Sequence, residues 1–327
     1  MTKALAPLTV AIHTVGRNSR DELVADVRSG LTARPKTLPP RWFYDELGSR
    51  LFEQITALPE YYQTRTEAAI LRVHAPAIAA RVRPESLVEL GAGSCAKSRI
   101  LIDSCRRLGT LSTFIPFDIS ESALLAAGRE LLEEYPGLTV HAMVGDFATH
   151  LDLIPRHGRR LVIFLGSTIG NFDDEGRRLF LGQVRGLLAP GDALLLGLDL
   201  VKPVSDMLAA YDDAEGVTAE FNLNLLNVLN RELEADFDAS GFEHAVRYDE
   251  ALHRMEMHLR SRREQTVRLP VADLEVHFQA GELMRTEISV KFTPPIAEEL
   301  LGAASLRVDG WFTDPQKRFA MALAVPT

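Results

Sequence analysis

The chain is poor in the features that tie a protein to a disulfide scaffold, a nucleic acid or a membrane. Two cysteines in 327 residues are too few for a disulfide framework. Cys95 and Cys105 lie ten apart on what reads as one helix, and free thiols of a reducing cytoplasm are expected. No run of Lys and Arg occurs, and 36 basic against 45 acidic residues leave a formal net charge of -9. Phosphate binding is dominated by clustered basic side chains, so nucleic acid is excluded as the main partner. No apolar stretch reaches membrane-spanning length, and the N-terminus lacks a basic-then-apolar leader, so neither a membrane partner nor export is expected. The nine histidines show no metal-ligand spacing. His253 and His258 fall in an alternating segment, five apart and so on opposite faces, and no metal is expected.

What is present starts with a composition ordinary for a globular protein, 46% hydrophobic and 25% charged. The length suits one large domain or two moderate ones. The stretch around which the rest is arranged is Leu87-Val-Glu-Leu-Gly91-Ala-Gly93-Ser-Cys-Ala-Lys97. It reads as a buried strand, a tight glycine turn and a helix, the place where α/β sheets bind nucleotide-like cofactors. Gly91-x-Gly93-x-x-Ala96 satisfies a loose dinucleotide fingerprint. An acid near the strand end, Glu89, suits S-adenosylmethionine (SAM) better, since SAM has a cationic amino-acid end and no phosphate. A strand, turn and helix with no cofactor is the plain alternative.

Read in order, residues 1–18 form a loose arm. Ser19-Arg-Asp-Glu22 has capping-box spacing and opens a helix with Leu23, Val24, Val27 and Leu31 on one side. Residues 35–44 are proline-stiffened and aromatic, and a short helix follows around Leu51, Phe52 and Ile55. Thr64-Arg-Thr-Glu67 is a second capping box, opening a helix to about His74. From residue 86 strands and helices alternate, the signature of a parallel sheet. Strands are expected at 86–90, 113–118, 139–144, 160–165 and 193–198. Two helices are expected over 203–235 and a small antiparallel sheet over 244–292. A helix over 294–301 and a hairpin around Asp314-Pro315 close the chain.

Three polar residues fall just past consecutive strands. Asp118 could take both ribose hydroxyls, Asp146 could read an adenine amino group with Phe147 over the ring, and Asn171 could face a reacting methyl. Each has a plain alternative: a helix cap for Asp118, a turn residue for Asp146, an N-cap for Asn171. Glu287 and Ser289, at i and i+2 on a strand, share a face opposite Ile288 and Val290 and could grip an N–H and a ring nitrogen. From pattern alone a solvated face of an edge strand is the stronger reading of that pair, and Tyr44, Tyr61 and Tyr211 are equally well core or surface residues.

Several spaced motifs decide more. Lys36-Thr-Leu-Pro-Pro40, Trp42-Phe-Tyr-Asp45, Leu58-Pro-Glu-Tyr-Tyr62, Thr64-Arg-Thr-Glu67, Val88-Glu-Leu-Gly-Ala-Gly93, Ile115-Pro-Phe-Asp118, Gly145-Asp-Phe147, Phe164-Leu-Gly-Ser-Thr-Ile-Gly-Asn171 and Ala209-Ala-Tyr-Asp-Asp213 resemble the histidine Nα-methyltransferases of ergothioneine biosynthesis. The likeness runs from about residue 20 to the C-terminus. Departures fall at Ala92, at Ser94-Cys95-Ala96 and at Val290, none of them assigned a role.

The resemblance implies an α/β class I SAM-methyltransferase (Rossmann-like) sheet with helices on both faces and a second, smaller α+β substrate domain. The expected division is 66–199 with 292–327 for SAM, and 20–65 with 200–291 for substrate. It implies three methyl transfers from SAM, as co-substrate and without a metal, to the α-amino group of L-histidine, giving hercynine through mono- and dimethyl forms. Tyr44, Gly91, Lys97, Asp118, Asp146 and Phe147 match positions around SAM. Tyr61, Asn171, Tyr211, Glu287 and Ser289 match the histidine pocket, with Glu287 and Ser289 on the imidazole and Asn171 and Tyr211 on the carboxylate and amine end. Tyr44 and Asn171 are the expected catalytic pair. A cytoplasmic monomer is expected.

Overall fold

A computed structural model describes residues 8–13, 19–146 and 149–327 of the chain. Two compact units emerge. One holds the N-terminal strand, Arg65–Leu200 and Phe292–Thr327; the other holds Arg17–Thr64 and Val201–Lys291.

The first unit is built on strands β1 (Leu8–Ile12), β3 (Ser86–Leu90), β4 (Thr113–Asp118), β5 (Thr139–Val144), β6 (Arg160–Phe164), β7 (Ala193–Asp199), β13 (Leu306–Thr313) and β14 (Phe319–Pro326). They form one eight-stranded sheet in the order β1-β5-β4-β3-β6-β7-β14-β13. β1 and β3 to β7 pair in parallel, and β14 and β13 add an antiparallel edge. Every residue of β3, β6 and β7 is buried, as parallel strands covered on both faces require. The helices of this unit are α3 (Tyr62–Val82), α4 (Ser98–Arg107), α5 (Glu121–Glu134), α6 (Asp174–Leu187) and α9 (Pro294–Ala303). The α/β sheet expected from the alternating pattern is the one found.

Three local expectations need correction. Residues 8–12 are no arm: they add β1 to the sheet edge, beside β5. A five-residue strand without turn signals around it has no sequence signature of its own; residues 1–7 and 14–18 of the expected arm lie outside the described residues. Helix α3 starts at Tyr62, and it runs past His74 and through Pro76 to Val82. Proline removes one backbone hydrogen bond, but Ala75, Ile78, Ala79 and Val82 are buried and their packing offsets the loss. Cys95 precedes α4, in the turn, with φ 54°.

The second unit holds α1 (Ser19–Thr32), α2 (Glu46–Ala57), α7 (Val204–Tyr211) and α8 (Val217–Leu233). Its strands are β2 (Lys36–Thr37), β8 (Phe242–Asp249), β9 (Arg254–Ser261), β10 (Gln265–Leu269), β11 (Leu274–Phe278) and β12 (Leu283–Val290). They form a four-stranded sheet, β2-β12-β9-β8, and a β10-β11 ribbon. Leu23, Val27 and Leu31 of α1, Leu51 and Ile55 of α2, Leu225 and Leu229 of α8, and Met255, Met257 and Leu259 of β9 make a core of their own. Asp45 caps α2 by accepting the Gly48 N–H at 2.8 Å.

Candidate active site

In the sheet unit the candidate residues gather at the carboxyl ends of the parallel strands. After β3 the chain turns back at Gly91 and Gly93, with φ 72° and 49°. That left-handed backbone is strained for any residue bearing a Cβ. The turn is tied to β4: Gly91 and Ala92 donate to the Phe117 carbonyl at 2.8 and 3.1 Å. Gly93 donates to Asp118 Oδ2 and Ser120 to Asp118 Oδ1, each at 2.9 Å. Each carboxylate oxygen keeps further acceptor capacity for a ligand. A Cβ built on Gly93 would meet nothing within 4 Å, so the space above the turn is open.

Two of the plain alternatives fail here. Ser120, not Asp118, caps α5, accepting from Ala123 N. Asp173, not Asn171, caps α6, accepting from Gly176 N. Asn171 ends a short 3-10 turn, Thr168–Asn171, entered through Ser167 at φ 57°. Asp146 does sit in a turn, its N–H donating to His150 Nδ1 at 3.0 Å. Phe147 lies outside the described residues.

Two acids flank the glycine turn, and one of them, Glu67, departs from its sequence reading. Glu89 is 3% exposed, beneath the turn, and accepts from the Ser98 hydroxyl at the start of α4. Burial pushes its carboxyl up to about 8, with the Ser98 bond holding it down in part. Its bond to Ser98 ties the end of β3 to the start of α4 across the turn. Glu67 caps nothing. It is fully buried inside α3, pairs with Lys97, and accepts the Gly166 N–H on both oxygens at 2.9 and 3.0 Å. A Cβ on Gly197 of β7 would come within 2.3 Å of Glu67 Oε1, so the strand glycine makes room for the carboxylate. Lys97 is thereby fixed between α3 and the loop after β6. Burial pushes the Cys95 and Cys105 thiols up, which keeps them protonated and unreactive.

In the second unit the register of β12 decides which side chains meet. Met284 pairs with Leu259 and Arg285 with His258, but Glu287 pairs with Met257 and Ser289 with Met255. Thr286 is the extra residue of a bulge. Past it, Glu287 and Ser289 lie on the face of Met255, Met257 and Met284, which is the core face. β2 pairs only with Met284 and Arg285, so beyond the bulge β12 is bonded to β9 alone, and the edge part of the expected reading stands. The solvated part fails: Ser289 is buried and Glu287 is half-buried on the core face. Thr286 Oγ1 donates to Asn222 Oδ1 at 2.8 Å, Asn222 Nδ2 donates to His244 Nδ1 at 2.8 Å, and His244 Nε2 donates to the Tyr211 carbonyl at 2.8 Å. This chain of bonds joins the bulge to the end of α7, where Tyr211 sits.

Lys291 completes the cluster. It is fully buried, and its Nζ donates to Tyr211 Oη and to Ser289 Oγ, each at 2.8 Å. Burial pushes the Glu287 carboxyl up to about 7, and the Lys291 ammonium opposes that rise. A second group is aromatic. Tyr44, 45% exposed, meets Phe52 and Phe221 edge-on with centroids at 5.6 and 5.7 Å. Phe52 meets Tyr61 at 6.2 Å. Sequence reasoning missed Glu67, Lys291 and the bulge. For Lys291 a signal existed: it stands two residues beyond Ser289 and four beyond Glu287. Glu67 had none, because its spacing from Thr64 imitates a cap.

Among the described residues no cluster of three or more His, Cys, Asp or Glu could hold a metal ion. Among them, too, no helix is long and apolar enough to cross a membrane.

Comparison with known proteins adds the chemistry. The family model described as histidine-specific methyltransferase, SAM-dependent, matches residues 23–326. A histidine N-alpha-methyltransferase from Mycolicibacterium smegmatis is 51% identical over 318 residues, 97% of this chain and 99% of that protein. One from Mycobacterium tuberculosis is 51% identical over 317 residues, with the same coverage. Ergothioneine biosynthesis protein 1 of Schizosaccharomyces pombe is 32% identical over 242 residues, 70% of this chain and 31% of that longer protein.

Proposed function

Because the chain belongs to the histidine-specific, SAM-dependent methyltransferase family, we propose that it trimethylates the α-amino nitrogen of L-histidine. The product is hercynine, reached through the mono- and dimethyl amino acids, and the step opens ergothioneine synthesis. The observation that carries the substrate choice is the Glu287–Ser289 pair on the methionine-bearing face of the sheet. An acid and a hydroxyl placed among methionines add nothing to packing, and a carboxylate whose donor is missing once a ligand covers it is costly. An imidazole N–H supplies that donor.

When bound, SAM brings a methyl group already activated by a sulfonium leaving group. The open space above Gly93 and the Asp118 carboxylate beside it suit the adenosyl end of such a ligand. In this reading Gly91, Lys97, Asp118, Asp146 and Phe147 hold SAM. Glu287 and Ser289 hold the imidazole, Tyr61, Tyr211 and Asn171 the amino-acid end, and Tyr44 and Asn171 orient the reacting amine. What the side chains supply is alignment, which is worth roughly 7–11 kcal/mol of barrier. The free α-amino group titrates near about 8, so a neutral fraction is available without a strong base, and a tyrosine or water carries the proton off. The second and third transfers meet a bulkier, more apolar amine, which suits the exposed Tyr44 beside Phe52. Aromatic faces also tolerate the cationic product.

The test is incubation with SAM and each amino acid in turn, read by mass. L-Histidine alone should gain methyl groups, up to three; methylation of another amino acid in preference to histidine would reject the reading.

A further inference from the structure

We propose that Lys291 is a positioning residue: it sets the donor sense of the Tyr211 and Ser289 hydroxyls, so that the site selects a substrate ring in its neutral form, bearing a single N–H. The inference rests on the histidine reading above and extends it to which protonation state is bound.

An ammonium has three donors and no acceptor. Lys291 Nζ stands 2.8 Å from Tyr211 Oη and 2.8 Å from Ser289 Oγ. Both oxygens therefore accept from it, and both send their own protons elsewhere. Accepting from a cation also makes a hydroxyl a stronger donor and a weaker acceptor for a second N–H. Ser289 then offers O–H, and only a ring nitrogen with a free lone pair takes it. Glu287, two residues away on the same face, offers lone pairs, and only a ring N–H satisfies it. A neutral imidazole has one nitrogen of each kind. An imidazolium has two donors, and one of them would face the Ser289 proton with the Lys291 charge behind it.

The charged and titratable groups around the ammonium agree with this. Glu287 lies within its electrostatic reach and Tyr211 has its ring under it, 4.7 Å from Nζ. Tyr248 on β8 also feels its charge, and the Tyr248 hydroxyl lies 3.3 Å from His253 Nδ1. Tyr211 serves the ammonium through both its ring and its hydroxyl, so the lysine fixes the orientation of that side chain as well.

The experiment uses the wild-type protein with S-adenosylhomocysteine and L-histidine labelled with nitrogen-15 in the ring. At neutral pH the bound ring should show one protonated and one unprotonated nitrogen; two protonated nitrogens would overturn the proposal. In parallel, Lys291→Met should raise the histidine Kd at least tenfold and leave the S-adenosylhomocysteine Kd within twofold. An unchanged histidine Kd in a folded variant also overturns it. If Lys291→Met does not fold, the wild-type spectrum decides. Glu287→Ala separates the two levels. Loss of histidine binding in Glu287→Ala with none in Lys291→Met defeats only the lysine's role. No loss in Glu287→Ala defeats the histidine reading itself.

Discussion

Each face of the small sheet carries an acid, buried in the case of Glu256 and half-buried in that of Glu287, and the two have opposite lives. On β9, Glu256 is 1% exposed and is gripped by Arg247 at 2.6 and 3.1 Å and by Arg254 at 2.7 Å. Burial works to raise its pKa, but the arginine bonds and charges win and hold it below the usual range. On β12, Glu287 lies on the other face, among methionines, with one lysine in reach and a carboxyl pushed up to about 7. Glu256 is satisfied by its own chain and has nothing left to offer. Glu287 has only the Lys291 charge set against its burial, which is what the proposed imidazole contact would complete. A buried acid is thus no sign of a site in itself; what counts is whether the surrounding donors already match its charge.

Substitutions can press on that contrast. Glu287→Ala has the largest expected effect: histidine kcat/KM falls about a thousandfold, roughly 4 kcal/mol, while SAM binding stays within twofold. Steady-state kinetics with calorimetry on each ligand checks this, and equal losses for both would erase the contrast. Glu256→Ala should do the reverse. It strands two arginines and costs about 3 kcal/mol of stability, read as a lower Tm, with the histidine KM of the folded variant unchanged.

The third prediction follows from the direction of the Glu287 shift. Its folded pKa is raised from 4.5 to about 7, so within that window the folded, ligand-free protein holds a proton that the unfolded chain has released. Wild-type stability therefore falls as pH rises through the window, by at most about 1.4 kcal/mol per pH unit, and is unaffected by this group below it. Glu287→Gln lacks that slope. Calorimetric Tm values of the two proteins should diverge as pH rises toward neutrality, and parallel curves would deny the shift. The smallest effect is expected for Thr286→Val. It removes the bond to Asn222 and costs about 1 kcal/mol, and a rise of a few-fold in the histidine KM should accompany it if the bulge sets the aim of Glu287.

The sheet was legible because its signals are local. Continuous apolar runs mark β3 to β7, with capped helices after β4 and β6, and their bounds agree with the sequence reading within a residue. The glycine turn and the polar residues after each strand follow from the same pattern. Apart from the local turn at Cys95, two segments distant in the chain were involved in the main failures. β1 exists only because β5 has an edge to pair with. Glu67 has the spacing of a cap and serves as a buried counter-ion because Lys97 and Gly166 are brought to it.

Alternation in the sequence determined that a strand carries Glu287 and Ser289 on one side and Ile288 on the other, since side chains on a strand must alternate. It could not determine which side is inside. By alternation from Met284, Thr286 and Ile288 would face the core and Glu287 would face Glu256. One unpaired residue, Thr286, anchored by Asn222 from a helix more than sixty residues earlier, reverses that parity. A bulge is a matter of pairing between strands, and no property of a single strand encodes it. Hence the residues of the candidate pair were written in the chain, while the way Glu287 and Ser289 face was settled only when β12 met β9.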